Sequence, residues 1–168
     1  WRVNTFLHAN HTPRQKRNGV LLCINGSGIA YQWLRKTTAH QGSQPTYEEL
    51  NQWAAHAGAG AKGLRFFPFG NGAERVLGNR APEASLMGLN FNIHQQAHLA
   101  RAVTEGVVFT LQYGFEVMKT MHIDTQVVRA GKANLFLSPV FREIFAHTTE
   151  TVLELYDTQG AEGATRAA

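Results

Sequence analysis

The chain has 168 residues, of which 43% are hydrophobic and 17% charged, and a formal net charge of +4. That length supports one good hydrophobic core or at most two small ones, and the scarcity of charge excludes a disordered, solvating chain. The mild positive balance suits an anionic ligand such as a nucleotide, and equally suits weak nucleic-acid affinity or nothing specific. No stretch is long or apolar enough to span a bilayer. Residues 1–10 lack the basic start and long apolar middle of a secretory signal, so a cytoplasmic location is expected. The one cysteine, Cys23, lies in the apolar run from Val20 to Ile24 and reads as a buried strand thiol in a reducing compartment.

In chain order, Val3 to Ala9 and Val20 to Ile24 read as the strands of a hairpin. Its polar tip carries Pro13, Arg14, Lys16, Arg17 and Gly19, and reads as a solvated loop. The turn from Asn25 to Gly28 breaks the second strand, and a short helix runs from Ile29 to Lys36. Thr46 and Glu49 form a capping box for a second helix ending near Ala57. A glycine-rich connector leads to a strand from Leu64 to Phe69, which Pro68 confines to an edge or an end. A polar loop extends to Pro82, and an apolar run from Ala84 ends on Gly88.

The longest helix is expected from Ile93 to Met121, capped by Asn92 with Gln95 as its reciprocal partner. Ala97, Ala100, Val103, Val107, Leu111, Gly114 and Met118 recur along it at helical spacing. Gly106 and Gly114 each cost about 1 kcal/mol against alanine, which implies tight packing against a neighbour. Thr125 to Ala130 reads as a strand, Gly131 to Leu137 as a loop, and Ser138 with Pro139 as the start of a helix ending near His147. Thr151 to Tyr156 is the last strand, and a helix begins after the turn that follows it. The second half is therefore an α/β layer with a crossover between its last two strands. The chain opens on Trp1 and stops at Ala168 inside a helical pattern, so a piece of a larger protein is expected.

Chemistry could sit at two strand-to-helix junctions. Asn25 to Gln32 places a glycine-rich turn at a helix start, where amides attract anions, although a plain tight turn fits the bare pattern better. The loop from Ala130 to Asn134 follows a strand and leads to a helix, the position where α/β folds place ligands. Lys132 could meet a phosphate there or be merely solvated. Glu74 reads as an ion-pair or interface carboxylate rather than a catalytic one. His94 and His98, with Glu105 near the same helix face, could make a metal site, but cap-region or surface histidines are the ordinary reading.

Ala84, Leu86, Gly88 and Leu89, followed by His98, Leu99, Ala102, Val103 and Glu105, resemble a signature of the FGGY carbohydrate kinases. Thr104 stands where that family usually has an apolar residue. Gly28, Gln32, Trp33 and Leu34 are similar to the segment with which glycerol kinase and its relatives line the nucleotide site. Gly131 and Asn134 match, by order, the family's adenosine loop, in which Ala130 replaces the first glycine. The run from Ser138 to Ala146 resembles xylulokinases, and Gly63, Leu64, Phe66 and Pro68, with Glu74 and Arg75, resemble a further family segment.

The resemblance implies an actin-like or ribonuclease-H-like ATPase half, a mixed sheet with helices packed on it. Residues 1–168 would be the C-terminal nucleotide-binding domain of a sugar kinase whose N-terminal sugar-binding domain is absent. It implies ATP and Mg2+ as cofactors, a sugar such as xylulose as partner, and a possible homodimer, with no nucleic acid and no membrane. The nucleotide-binding residues it implies are Gly28, Gln32, Gly131, Lys132 and Asn134, the two corners facing each other across one crevice. The family's aspartate base and threonine-bearing phosphate loop have no counterpart here, so the chain alone is expected not to phosphorylate sugar and to bind ATP weakly at best. Two other classes remain: a degenerate, non-catalytic binding module, and a nucleic-acid binder using Arg14, Lys16 and Arg17.

Overall fold

A computed structural model describes residues 2–157. Trp1 and the expected final helix lie outside the described residues. Among the described residues the strands are paired in both orientations, but over three two-stranded sheets. Strand β1 (Asn4–Leu7) pairs antiparallel with β2 (Asn18–Leu21), the expected hairpin. Beyond it the chain stays extended, and alternation turns Leu22 and Ile24 inward while Cys23 points out. Cys23 is therefore exposed and outside the strand, not the buried strand thiol the apolar run suggested.

Helix α1 (Ser27–Thr37) begins two residues earlier than expected. Helix α2 (Tyr47–Ala57) starts on the expected capping box: Thr46 Oγ1 accepts from Glu49 N–H, and the Glu49 carboxylate accepts from Thr46 N–H. These bonds hold the exposed Glu49 carboxyl below its usual pKa, the Thr46 backbone N–H contributing most. Strand β3 (Arg65–Phe67) pairs antiparallel with β4 (Ser85–Met87), so the apolar run before Gly88 is a strand.

Helix α3 (Gln96–Lys119) is the spine of the fold. It packs against α1, α2, β3 and α4 (Pro139–Thr149). Every residue from Ala102 to Val108 is buried, so this stretch is enclosed on all sides rather than along one stripe. Its two interior glycines mark close approaches, and the one at Gly106, against backbone, requires a glycine. A methyl group on Gly106 would stand 2.1 Å from the Phe66 carbonyl oxygen, and one on Gly114 would stand 2.9 Å from Leu22 Cδ2. The first contact brings the β3 backbone onto α3, and the second seats the segment after β2.

Thr104 also acquires a reason. Its hydroxyl donates to the Ala100 carbonyl at 2.8 Å and is hydrogen-bonded to the Tyr31 hydroxyl of α1. A threonine at an otherwise apolar position thus satisfies a tyrosine that is only 3% exposed. Burial pushes the Tyr31 pKa up to about 12.

The second half follows the expected order. Strand β5 (Val127–Gly131) and β6 (Val152–Tyr156) form a parallel pair joined through α4. Ser138 caps α4 by accepting from Phe141 N–H at 3.2 Å, with Pro139 at its first position. Phe136, Phe141 and Phe145 pack edge-on and stacked, and Phe115 joins α3 to Phe145.

Three substitutions test this packing. Gly106→Ala gains helix propensity but drives a methyl into a carbonyl that cannot move aside, for a net loss of about 1–3 kcal/mol in urea denaturation. Thr104→Val orphans the Tyr31 hydroxyl and costs more than Tyr31→Phe, which leaves Thr104 bonded to Ala100. Equal losses from those two single variants would contradict the assigned roles.

Candidate functional site

The first corner is built on α1. Its cap position is Gly26, which has no side chain to offer, and its first turn holds no acidic residue. The first helical bond runs from Ala30 N–H to the Gly26 carbonyl at 3.0 Å. The amides of Ser27, Gly28 and Ile29 precede that bond and carry the positive end of the helix dipole. Gly26 is needed because a methyl there would stand 1.6 Å from the Pro68 carbonyl oxygen. Gly28 is different: its φ is not left-handed, and a methyl there would meet no atom within 4 Å. Nothing among the described residues requires a glycine at that position. Gln32, one turn further on, is exposed on the same side of the helix.

The second corner follows β5. Lys132 N–H donates to the Tyr156 carbonyl at 2.9 Å, extending the parallel ladder by one bond. Ala133 N–H turns back onto the Gly131 carbonyl at 2.8 Å. Asn134 adopts φ 52°, the left-handed region that asparagine tolerates, and opens a 3-10 turn over Asn134–Leu137 before α4. Gly131 is half-buried, whereas Lys132 and Asn134 are exposed. Ala130 sits in the ladder opposite Leu155. Across the strands the exposed Arg129–Glu154 pair, 2.8 Å apart, holds Glu154 below and Arg129 above their ordinary pKa values, each chiefly through the hydrogen bond to the other.

The structure thus groups Gly28 with Gln32, and Gly131 with Lys132 and Asn134. Among the described residues no hydrogen bond joins the two groups; each hangs from α3 through its own helix. Two concavities, of about 800 and 710 Å3, lie elsewhere. One runs along α3 past Phe66, Glu105, Phe109 and Tyr113; the other has Gly26, Ile29 and Trp33 on its α1 wall. None of the five expected residues lines either of them.

The readings of Glu74 and Asn92 are corrected here, and the cap-region reading of His94 and His98 is borne out. Among the described residues Glu74 pairs with no cation, and it makes no exposed contact. It is fully buried, and its carboxylate accepts from the Asn25 N–H at 3.1 and 3.2 Å. Asn92 does not cap α3: its N–H is taken by the Asn90 side chain at 2.9 Å, and that local turn delays the helix to Gln96. The cap residue is Gln95, whose N–H is accepted by His98 Nδ1 at 3.0 Å. His94 Nδ1 accepts from Asn90 N–H, so both histidines serve the turn before α3. Glu105 is engaged by Arg101 Nε at 2.6 Å and Gly60 N–H at 2.8 Å. Among the described residues no three His, Cys, Asp or Glu side chains gather as metal donors.

With this geometry in place, the chain can be compared with known proteins. No family model matches it. It is 39% identical over 82 residues to a xylulose kinase of Haemophilus influenzae, a match covering 49% of this chain and 16% of that one. It is 31% identical over 137 residues to a gluconokinase of Bacillus licheniformis, covering 76% of this chain and 26% of that one. Among solved structures, glycerol kinase of Plasmodium falciparum with ADP superposes with a TM-score of 0.81 at 19% identity, covering 98% of this chain and 32% of that one. Ligand-bound xylulose kinase of Lactobacillus acidophilus gives 0.76 at 25% identity, covering 99% and 34%.

The fold is therefore the α/β fold of the actin-like sugar-kinase ATPases. The relatives this chain matches in sequence are carbohydrate kinases, and the matched stretches span about a quarter or less of their length.

The His98 cap gives a pH test. Burial, and then the positive charges of Lys62, His94 and His56, hold its pKa below the ordinary 6.5. The folded state keeps His98 neutral while the unfolded chain takes up a proton, so stability is full above about pH 6.5 and falls below it. His98→Gln keeps an acceptor for the Gln95 N–H but does not titrate. Its melting temperature should fall less than that of the parent between about pH 7.5 and pH 5.5; parallel curves would contradict the assignment.

Proposed function

We propose that this chain is the C-terminal, nucleotide-binding part of an FGGY carbohydrate kinase, nearest in character to the xylulokinases. Gly28 is the observation that carries the reading. A glycine at an uncapped helix start, with no steric or conformational need for it among the described residues, leaves room for a ligand to approach the Ser27–Ile29 amides. The Gly131–Asn134 loop, at the carboxyl end of a parallel strand, would receive the adenosine. The kinase names of the sequence relatives support the same ligand, as does the fold shared with a glycerol kinase solved with ADP.

The parent reaction is transfer of the terminal phosphate of ATP to a hydroxyl of a sugar, a pentulose such as xylulose. This step depends on aligning the reacting groups and neutralising phosphate charge. The donors at the two corners do not form a magnesium cage, so Mg2+ would arrive on the nucleotide's own phosphates. Lys132, exposed beside Gly131, would add positive charge near that phosphate chain. The aspartate that takes the sugar's proton in this family has no match here, and the chain alone is inactive. A cytoplasmic location and self-association of the parent belong to the same reading.

The alternative is a degenerate binding module that no longer takes a nucleotide. Ala130 favours it by adding a methyl where the family has glycine. Titration with MgADP, followed by amide chemical shifts, separates the two: movement of the corner amides supports the kinase reading, and none supports the module.

A coupled assay with xylulose and MgATP should show no turnover by this chain; turnover would overturn the inactivity. Gly28→Ala should leave the melting temperature unchanged or slightly raised, because alanine favours helix by up to about 1 kcal/mol. The same change should weaken MgADP binding about tenfold by filling the approach to the amides. Unchanged affinity would remove Gly28 from the site.

A further inference from the structure

Glu74 is fully buried, and among the described residues no cation pairs with it. Burying a carboxylate without a counter-ion is costly unless it is held by hydrogen bonds. Both its oxygens face the backbone N–H of Asn25, at 3.2 and 3.1 Å.

The same loop holds Asn25 at two more points. Asn71 Nδ2 donates to the Asn25 carbonyl at 3.3 Å, and Asn25 Nδ2 donates to the Ala73 carbonyl at 2.8 Å. One residue later, Gly26 lies directly under the Pro68 carbonyl. The loop is itself anchored. Glu74 N–H donates to the Arg80 carbonyl at 2.8 Å, the Glu74 carbonyl accepts from Leu77 and Asn79, and Arg75 reaches Asn4 Oδ1 of β1 at 2.6 Å. Asn25 is therefore consumed on its amide, its carbonyl and its side chain, and the Ser27–Ile29 amides follow two residues on.

We propose that residues 68–75 form a clasp that sets the entry angle of α1, with Glu74 as the positioning residue that aims the Ser27–Ile29 amides at a nucleotide phosphate. This rests on the nucleotide reading above and adds residues that touch no ligand. The clasp acts through geometry. A carboxyl group beside the amides offers a phosphate no attraction, and the use of Glu74 lies in accepting the Asn25 N–H. An uncharged acceptor of the same length should therefore serve.

The test uses Glu74→Ala, Glu74→Gln and Asn71→Ala in the 168-residue chain, with MgADP as probe. The Asn25 amide proton should lie at low field in the parent, move upfield in Glu74→Ala, and move less in Glu74→Gln. MgADP affinity, read from the Gly28 amide, should fall about tenfold in Glu74→Ala and measurably in Asn71→Ala. Glu74→Gln should stay within about twofold of the parent. Should Glu74→Ala fail to fold, Asn71→Ala, which changes an exposed side chain, decides the matter. A parent whose Gly28 amide responds to MgADP, with folded variants that bind as tightly, overturns the clasp alone. A parent whose corner amides do not respond overturns the nucleotide reading and the clasp together.

Discussion

Helix α3 can be the centre of this fold only because Gly106 carries no side chain. At that point the backbone of β3 comes within reach of the helix backbone, and a methyl would stand 2.1 Å from the Phe66 carbonyl oxygen. The close approach encloses α3 along the stretch from Ala102 to Val108 and gives α1, α2 and α4 one common surface to pack on. Each candidate corner is then placed by a helix lying on that surface. Tyr31 bonds α1 to Thr104, and Phe145 packs α4 against Phe115. Neither corner is held by its own loop alone.

Local chemistry made much of the fold legible from sequence. The Thr46–Glu49 capping box and the Ser138–Pro139 start depend on residues a few positions apart, and they formed as expected; the parallel β5–α4–β6 unit, whose strands pair residues 25 positions apart, followed from the order of its elements. The interior glycines were a correct sign of tight packing, although the sequence could not say against what. The misreadings share one cause, which is competition from contacts the local pattern does not encode. Asn92 has the right side chain for a cap, but the Asn90 side chain, accepting from Asn92 N–H, belongs to a turn there, and α3 starts only at Gln96. Cys23 lies in an apolar run, yet its two neighbours take the inward positions.

The junctions that carry the candidate residues were legible as well. The residue types at Gly28 and Gly131 mark junctions where a ligand could reach backbone amides, and both junctions are strand-to-helix corners in the structure. The role of Glu74 was not legible, because its partner is a backbone amide 49 residues away. A glutamate beside an arginine suggests an ion pair until the fold shows Arg75 reaching Asn4 instead. Likewise Thr104 looked like a departure from a pattern, and it proved to be half of a buried hydroxyl pair.

The nucleotide reading joins these parts into one requirement: the amides after Gly26 and the loop after β5 must serve the same adenylate. A crystal structure of the chain with MgADP tests that requirement directly. The expected result is one nucleotide touching both the Gly28 backbone and the Gly131–Asn134 loop. A nucleotide bound along α3 or against Trp33, with Gly28 and Asn134 on opposite sides of the molecule, would contradict it.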